Sequence, residues 1–369
     1  MDAMGTPDIT PTAVPTTTTA VGYLTNLPVT DPDCLIEREI PVPSPGPHDL
    51  LVDVEAVSVN PVDVKQRAGA PVDPTVGFSV LGYDAAGTVV AVGDEVTLFT
   101  PGDAVFYAGQ IDRPGTDQRL HLVDERIVGH RPASVSAAEA ASLPLTMITA
   151  WEVLFDRLRL TADSAGTLLV VGATGGVGSA VLQLAEALLP QVRTIATASG
   201  AERTRWVRDL GAEYVVDHHL GEDAFADAVL TAAPRGVDRL FTAHSEGQIP
   251  LYARIMRPFG DIVAIDDGPR DVEPLKGRSV AWHWELMFTR SLEQTPDMAG
   301  QHELLEKVAE LVDAAKIRPT VTDHLSPINA GTLREAHRLV ESNHTLGKVV
   351  VSGWEQSPLP VRTSANGRA

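Results

Sequence analysis

Hydrophobic residues follow two different patterns along the chain. Up to about residue 130, short apolar runs such as 50–59, 87–92 and 104–107 are separated by glycine and proline turns, which is typical of β-strands. From residue 137 onward, apolar residues recur at helical spacing and alternate with short, wholly apolar runs such as 168–171. The first pattern predicts a β-rich domain, and the second predicts an α/β domain with a doubly wound parallel sheet.

The composition restricts the class of protein. The formal net charge is −20, and this acidic balance disfavours binding to nucleic acid or to an anionic membrane. The single cysteine, Cys34, excludes a disulfide within the chain and a zinc lobe built from four cysteines. No stretch of about 18 apolar residues occurs, and the N-terminus lacks the features of a signal peptide. We therefore expect a cytoplasmic protein without nucleic-acid or membrane partners.

A glycine-rich loop follows the apolar run at 168–171. Its sequence, over residues 172–178, is Gly-Ala-Thr-Gly-Gly-Val-Gly, and helical spacing follows over 177–189. Glycines let the backbone turn sharply and approach a pyrophosphate, and free N–H groups at the start of a helix bind phosphate oxygens. The glycine pattern alone is weak, and a packing turn is the alternative, but strand, loop and helix in this order favour a dinucleotide site. The residues predicted to contact the cofactor are Thr174, Gly175, Gly176, Val177 and Gly178.

The end of the second strand of this unit indicates which dinucleotide binds. An Asp or Glu there would bind the ribose hydroxyls of NADH and repel the 2′-phosphate of NADPH. Ala198 and Ser199 stand at this position instead, and Arg203 and Arg205 follow on the next helix. A hydroxyl and a guanidinium suit a phosphate, so the sequence favours NADPH as the cofactor, with Ser199 and Arg203 as ligands. The alternative is that both arginines are solvated helix positions.

Four segments together carry a resemblance that covers residues 21–353. They are Val59-Asn60-Pro61-Val62-Asp63, Leu81-Gly82-Tyr83-Asp84-Ala85-Ala86-Gly87, residues 173–178 and Gly347-Lys348-Val349-Val350. The chain resembles the medium-chain dehydrogenase/reductase superfamily and, within it, the zinc-independent quinone oxidoreductase branch. Residues 282–291 further resemble a subgroup often labelled zinc-type alcohol dehydrogenase-like. The resemblance implies an α/β fold in which a Rossmann domain is inserted into a β-rich GroES-like catalytic domain.

The resemblance and the composition together give the expected division of the chain. Residues 1–19 form a disordered lead-in, 20–147 the first part of the GroES-like domain, and 148–289 the Rossmann domain. Residues 290–354 complete the catalytic domain, and 355–369 form a disordered tail. A homodimer is implied by the resemblance, with residues 280–288 as a candidate strand at the dimer edge. His283 either lines the substrate cleft or, as we prefer, belongs to that edge.

The subgroup label names zinc, but the residues at the family's ligand positions differ. Zinc-dependent members carry a Cys in the first of the four segments and a His-Glu pair in the second. Here Asn60 stands in place of the Cys, and Tyr83 and Asp84 stand in place of the pair. A catalytic zinc needs about three Cys, His or carboxylate ligands, so we expect no metal in this protein.

The resemblance also implies roles for single residues around the cofactor. Asn60 and Thr149 border the nicotinamide, and Lys348 closes the cofactor cleft. Arg203 stands where the family often has a lysine for the 2′-phosphate, and His218 where a tyrosine often flanks the phosphate or the adenine. The remaining implied contacts follow the fourth and fifth strands of the parallel sheet: His244 and Ile265.

The chemistry expected is transfer of a hydride from NADPH to a quinone or an α,β-unsaturated carbonyl compound, which spreads the developing charge and needs no metal. Tyr83 is the candidate hydrogen-bond donor to the substrate, with a buried core tyrosine as the alternative. Asn60 is either a second donor or a turn-capping residue. Asp63 is expected to hold its loop, and Asp84 to be a supporting acceptor or a turn residue.

Two other functions remain open from the sequence alone. One is a zinc-independent alcohol or aldehyde reductase, and the other is an NADPH-binding protein without significant turnover.

Three further histidines lie in or beside helical stretches, and we expect them at the surface: His324, His337 and His344.

Overall fold

The structure is a computed structural model that describes residues 15–355. The strands of its N-terminal part are β1 (Thr17–Tyr23), β2 (Ile36–Pro41), β3 (Asp49–Val59), β4 (Ser79–Val80), β5 (Ala85–Val92), β6 (Ala104–Tyr107), β7 (Leu120–Asp124) and β8 (Val128–His130). The strands of the middle part are β9 (Ala165–Val171), β10 (Gln191–Thr197), β11 (Tyr214–Val216), β12 (Val237–Thr242), β13 (Met256–Ala264) and β14 (Ala281–Trp284). The last two strands are β15 (Val321–Leu325) and β16 (Lys348–Ser352).

The helices lie mainly in the second half of the chain. They are α1 (Pro61–Gly69), α2 (Ala137–Ala140), α3 (Pro144–Trp151), α4 (Gly176–Leu188), α5 (Ala201–Asp209), α6 (Glu222–Ala232), α7 (Ile249–Ile255), α8 (Thr289–Leu292), α9 (Gly300–Asp313) and α10 (Ala330–Glu341). A π-helical turn, Glu152–Arg157, continues α3, so the single helix predicted over 144–158 changes its hydrogen-bond pattern at Glu152. No helix of the described part is long and apolar enough to cross a membrane.

Six strands form the parallel sheet in the order β11-β10-β9-β12-β13-β14, and this confirms the predicted doubly wound architecture. Its central strand β9 is buried on both faces, with Leu168, Leu169 and Val170 inaccessible to solvent. A strand covered on both sides is apolar throughout, which is why this run was recognisable in the sequence. The loop after β9 therefore lies at the edge of the sheet where the strand order reverses, which is where ligands bind in such sheets.

The β-rich part contains a three-stranded sheet, β2-β1-β4, and a larger sheet in the order β15-β16-β3-β5-β6-β8, with β7 also paired to β3. The C-terminal strand β16 lies antiparallel to β3 and thus returns the chain to the first domain. Lys348, the first residue of β16, is placed by this pairing next to the end of β3, where Asn60 follows.

Two boundaries differ from the sequence prediction. The predicted disordered lead-in reaches residue 19, but β1 begins at Thr17 and pairs with β2. Threonine is β-branched and suits a strand, and composition alone does not reveal a distant pairing partner. The candidate edge segment 280–288 is a strand only over its first half, as β14. Residues 1–14 of the predicted lead-in and residues 356–369 of the predicted tail lie outside the described residues.

Candidate active site in the cleft

The glycine loop joins β9 to α4 at the carboxyl end of the parallel sheet. Gly172 has φ +81°, a conformation that favours glycine. Gly175 is the N-cap of α4, and no side chain of the described part caps this helix. A Cβ atom on Gly178 would lie 2.3 Å from the Gly172 carbonyl oxygen, so the first turn of α4 packs directly on the loop. The predicted contacts Thr174 to Gly178 thus surround a helix start whose N–H groups can receive a pyrophosphate.

The C-terminal segment reaches this loop from the other domain. The Gly347 N–H donates to the Thr174 carbonyl oxygen at 3.0 Å, and the two backbones form an isolated parallel bridge. The Lys348 side chain then runs beside the loop, because a Cβ atom on Gly176 would lie 2.9 Å from its Cδ. The two domains therefore meet at the glycine loop, and Lys348 lies between them.

Lys348 ends in a buried polar cluster with Asn60 and Asp84. Its ammonium donates to Asn60 Oδ1 and, at 2.9 Å, to Asp84 Oδ2. Asn60 Nδ2 donates to the same carboxylate oxygen at 2.8 Å, and the other oxygen, Oδ1, accepts the Leu145 N–H at 2.8 Å. Asp84 is inaccessible to solvent, and burial raises its pKa although the Lys348 charge opposes the shift. The Lys348 charge thus compensates a buried carboxylate.

The amide of Asn60 is fully used in this arrangement. Its Nδ2 also donates to the Ser58 carbonyl oxygen at 3.2 Å, and its Oδ1 accepts from Lys348. Both amide N–H groups are therefore taken, and a donor role toward a substrate would require one of these bonds to break. The geometry favours Asn60 as the residue that orients Lys348.

Asp63 holds the start of α1, as the sequence indicated. Its Oδ2 accepts the Asn60 backbone N–H at 2.7 Å, and its Oδ1 accepts the Gly82 N–H at 3.0 Å. Burial raises the pKa of Asp63 to about 7, against these two hydrogen bonds. The carboxyl thus ties together the two segments that carry Asn60 and Tyr83.

Tyr83 packs in the core and keeps its hydroxyl free. Its ring lies edge-on to Phe288, with the centroids 5.4 Å apart, and the residue is only 3% exposed. Among the described residues, none forms a hydrogen bond with the hydroxyl. Burial raises its pKa, and the Asp63 charge raises it further, so the group stays a neutral phenol that can donate.

The other predicted cofactor residues lie at the same edge of the parallel sheet. His244 and Ile265 follow β12 and β13, and the His244 ring lies 3.3 Å from where a Gly172 Cβ atom would stand. Thr149 is buried on α3, and its hydroxyl donates to the Leu145 carbonyl oxygen at 2.8 Å. The parallel strands end together, so His244 and Ile265 lie at the edge of the sheet that carries the glycine loop, and Thr149 lies on α3, which packs against α4.

A second cluster stands at the end of β10, where the ribose of a dinucleotide would lie. The Ser199 hydroxyl donates to the Asp217 carboxylate and lies 3.1 Å from His218 Nδ1. Arg203 donates to the His344 carbonyl oxygen at 2.9 Å. Asp217 was missed from the sequence, because it follows β11 and reaches Ser199 only through the pairing of β10 with β11. The hydrogen bond from Ser199 lowers the pKa of Asp217, so a carboxylate does stand near this position.

The residues at the family's zinc positions do not fit a catalytic zinc. Within residues 15–355, no group of three or more His, Cys, Asp or Glu side chains is placed to hold a metal ion. Asp84 is the one strong ligand among Asn60, Tyr83 and Asp84, and both of its oxygens already accept hydrogen bonds.

Comparisons with known proteins agree with this architecture. Residues 46–150 match the family described as alcohol dehydrogenase GroES-like domain, and residues 210–351 match the family described as zinc-binding dehydrogenase. A zinc-type alcohol dehydrogenase-like protein of Staphylococcus epidermidis is 34% identical over 90% of this chain and 99% of its own length. A quinone-oxidoreductase homolog, chloroplastic, of Spinacia oleracea is 29% identical over 86% of this chain and 94% of its own length.

A solved structure shares the whole fold. It is described as a candidate zinc-dependent alcohol dehydrogenase from Rhizobium etli CFN 42, with 47% identity and a TM-score of 0.87 over 92% of this chain and 99% of that one. The glycine loop, the parallel sheet and the β-rich domain together define an oxidoreductase that uses a nicotinamide dinucleotide, NAD(P)H. The chain belongs to the medium-chain dehydrogenase/reductase superfamily.

Proposed function

We propose that this protein is an NADPH-dependent, zinc-independent reductase of quinones or α,β-unsaturated carbonyl compounds. The observation that carries the proposal is the ammonium group of Lys348, which stands where Asn60 and Asp84 converge. These are positions from which zinc-dependent relatives hold their metal. A cation of the chain itself therefore occupies this part of the molecule. The oxygen atoms around it, which could otherwise bind a metal, already accept hydrogen bonds.

The residues present fit a nicotinamide dinucleotide. The uncapped start of α4 and the close packing at Gly178 form a cradle for the pyrophosphate, and the Lys348 side chain packs beside it. Bound NADPH supplies a hydride, that is, two electrons and a proton, from C4 of its reduced nicotinamide. Thr149, His244 and Ile265 are the residues that we expect beside the nicotinamide.

The substrate class follows from what the chain can offer the developing charge. Hydride addition to the β carbon of an enone moves the π electron pair onto the carbonyl oxygen, and a quinone behaves in the same way. A neutral donor can stabilise such a delocalised charge, and the Tyr83 hydroxyl, which forms no hydrogen bond with the described residues, is the candidate. A proton from water then completes the reduction, and Tyr83 keeps its own proton. The names of the chloroplastic quinone-oxidoreductase relatives support this class.

The alternative is a zinc-independent alcohol or aldehyde reductase, which the names of the staphylococcal relatives favour. Steady-state oxidation of NADPH with matched panels of quinones, enones and aldehydes separates the two. We expect kcat/KM to be highest for quinones or enones. Activity with aldehydes alone would favour the alternative. Tight NADPH binding without turnover on any panel would contradict both and indicate a binding protein.

The preference for NADPH rests on Ser199 and Arg203, and Asp217 works against it. We predict that Arg203→Ala weakens NADPH binding by about tenfold or more, because a charge-assisted contact to the phosphate is lost, and leaves NADH binding unchanged. Arg205→Ala, an exposed arginine on the same helix, is the matched control. Fluorescence titration gives the dissociation constants of NADPH and NADH for each variant. An equal loss of affinity for both cofactors in Arg203→Ala would contradict the assignment of Arg203 to the 2′-phosphate.

We also propose a homodimer formed along β14. This strand ends the parallel sheet, and no described strand pairs with its outer side. Trp284 and Leu286 are 48% and 52% exposed beside it, which is high for large apolar side chains. A monomeric mass in sedimentation experiments at micromolar concentration would contradict this proposal.

A further inference from the structure

Two glutamates face each other in the interior behind the nicotinamide side of the cleft. Glu152 begins the π-helical turn after α3 and is 1% exposed. Glu285 directly follows β14 and is 4% exposed, and its N–H donates to the Ala264 carbonyl oxygen at the end of β13. The two carboxyl groups lie within hydrogen-bonding reach of each other. Two buried carboxylates in contact repel strongly unless a proton lies between them.

Two arginines bind the pair of glutamates, but they do not balance the negative charge around it. Arg290 donates to Glu152 Oε1 at 2.6 Å, and Arg157 donates to Glu285 Oε2 at 2.6 Å. Arg290 is shared with two further carboxylates, Asp156 at 3.0 Å and Asp297 at 3.0 Å. Four carboxylates thus face two guanidinium groups, which leaves negative charge in excess.

One oxygen of the pair is left without a donor. Glu285 Oε1 is fully buried and has no hydrogen-bond partner among the described residues when both acids are ionised. The nearby Gln301 cannot supply one, because its Nε2 already donates to Glu152 Oε1 at 3.2 Å and to the Met287 carbonyl oxygen at 2.6 Å. A proton on Glu152 would provide the missing donor.

We infer that Glu152 and Glu285 share one proton, and that this proton positions the segment of Met287 and Phe288, which packs on Tyr83. The inference rests on the proposed function for the role of Tyr83 toward the substrate. Glu152 extends the helix that carries Thr149, while Glu285 begins the segment whose Phe288 packs on Tyr83. The shared proton thus joins the cofactor side of the cleft to the substrate side. Both glutamates are positioning residues.

The structure gives the direction and range of the pH dependence. Burial, followed by the hydrogen bond and the charge of Glu285, raises the pKa of Glu152 to about 9. An unfolded chain releases this proton near pH 4.3, so between about pH 4.3 and 9 the folded state holds more protons than the unfolded state. The stability contributed by the shared proton is therefore fully present at low pH and is lost as the pH rises toward 9.

Glu152→Gln is the sharpest test, because glutamine keeps the shape of the protonated acid and can still donate to Glu285. We expect the unfolding equilibrium constant of the wild type, divided by that of the variant, to rise by up to about tenfold per pH unit between pH 6 and 9. The infrared absorption of protonated carboxyl groups should contain a component that disappears near pH 9 in the wild type, and this component should be missing from the variant. Glu303→Gln, an exposed glutamate on α9, is the control.

Activity provides a separate readout. Above pH 9 the acceptor KM of the wild type should rise severalfold more than its kcat falls, and Glu152→Gln should show no such rise. Glu285→Gln should behave in the same way, and it replaces Glu152→Gln if that variant does not fold. Identical pH dependence of unfolding and of the infrared band in wild type and variant would overturn the inference. Inactivity toward every acceptor at every pH, with the band intact, would refute the proposed function alone.

Discussion

Among single residues, Lys348 makes the most consequential contacts. It is 3% exposed, and it lies between the glycine loop of one domain and the Asn60–Asp84 pair of the other. Desolvating an ammonium is costly, and only the full set of partners around it makes its burial tolerable. A residue held at this cost beside a dinucleotide cradle is expected to serve both the ligand and the domain contact.

Replacing Lys348 tests its contribution to stability and its contribution to cofactor binding. We predict that Lys348→Met lowers the free energy of unfolding by about 3–5 kcal/mol, because Asp84 stays buried without its cation. NADPH binding should weaken as well, and Lys348→Arg should restore part of both losses. Lys316→Met, an exposed lysine, is the control, and urea unfolding with parallel NADPH titration gives both values. Unchanged stability in Lys348→Met would refute the role of the ammonium at Asp84.

At the scale of elements, helix α10 shows what a sequence pattern can and cannot fix. The expectation that His337, on this helix, lies at the surface was wrong, because the residue is inaccessible to solvent. Leu333, Ala336 and His337 share the buried face of α10 at a spacing of three and four residues, a signal that could have been read. His324 and His344 are exposed, as expected.

The buried imidazole leads to a prediction about acid stability. Burial, followed by the charge of Arg67, lowers the pKa of His337 to about 3, and neither ring nitrogen has a partner in the described part. Between about pH 6.5 and 3 the unfolded chain binds a proton that the folded chain does not, so stability falls with falling pH by up to about 1.4 kcal/mol per unit.

His337→Leu should remove this component and flatten the acid limb of the stability curve, with little loss at pH 7. The exposed His219→Gln serves as the control. Unfolding midpoints measured from pH 7 to 4.5 provide the comparison. If the stability of His337→Leu fell as steeply with falling pH as that of the wild type, groups other than His337 would determine the acid sensitivity.

The elements that were predictable from sequence are those whose neighbours are close in the chain. The unit β9, glycine loop, α4 and β10 is local, and its pattern of buried strand and amphipathic helix identified both fold and cofactor loop. Strand β1 was missed because its partner β2 and the turn between them carry no clear apolar period. Asp217 and the Glu152–Glu285 pair were missed because each arises from a contact between distant segments, which no spacing in the sequence encodes.

For the whole molecule, the arrangement of the domains makes the cleft. The chain leaves the β-rich domain before α3, builds the parallel sheet, and returns through β16 to pair with β3. An exposed ion pair, Lys65 to Asp267 at 2.5 Å, also spans the two domains, although such surface pairs contribute little to stability. This topology brings the glycine loop and the Asn60–Asp84 pair to the two sides of Lys348.

The central claim is hydride transfer beside Lys348 without a metal. The most direct measurement follows deuterium into an enone product from NADPH that carries deuterium at both C4 positions, in a sample whose zinc content has been determined. The account predicts one deuterium at the β carbon of the product, in protein free of stoichiometric zinc and unaffected by a chelator. Transfer that appears only when zinc is restored, or product that carries no deuterium, would contradict it.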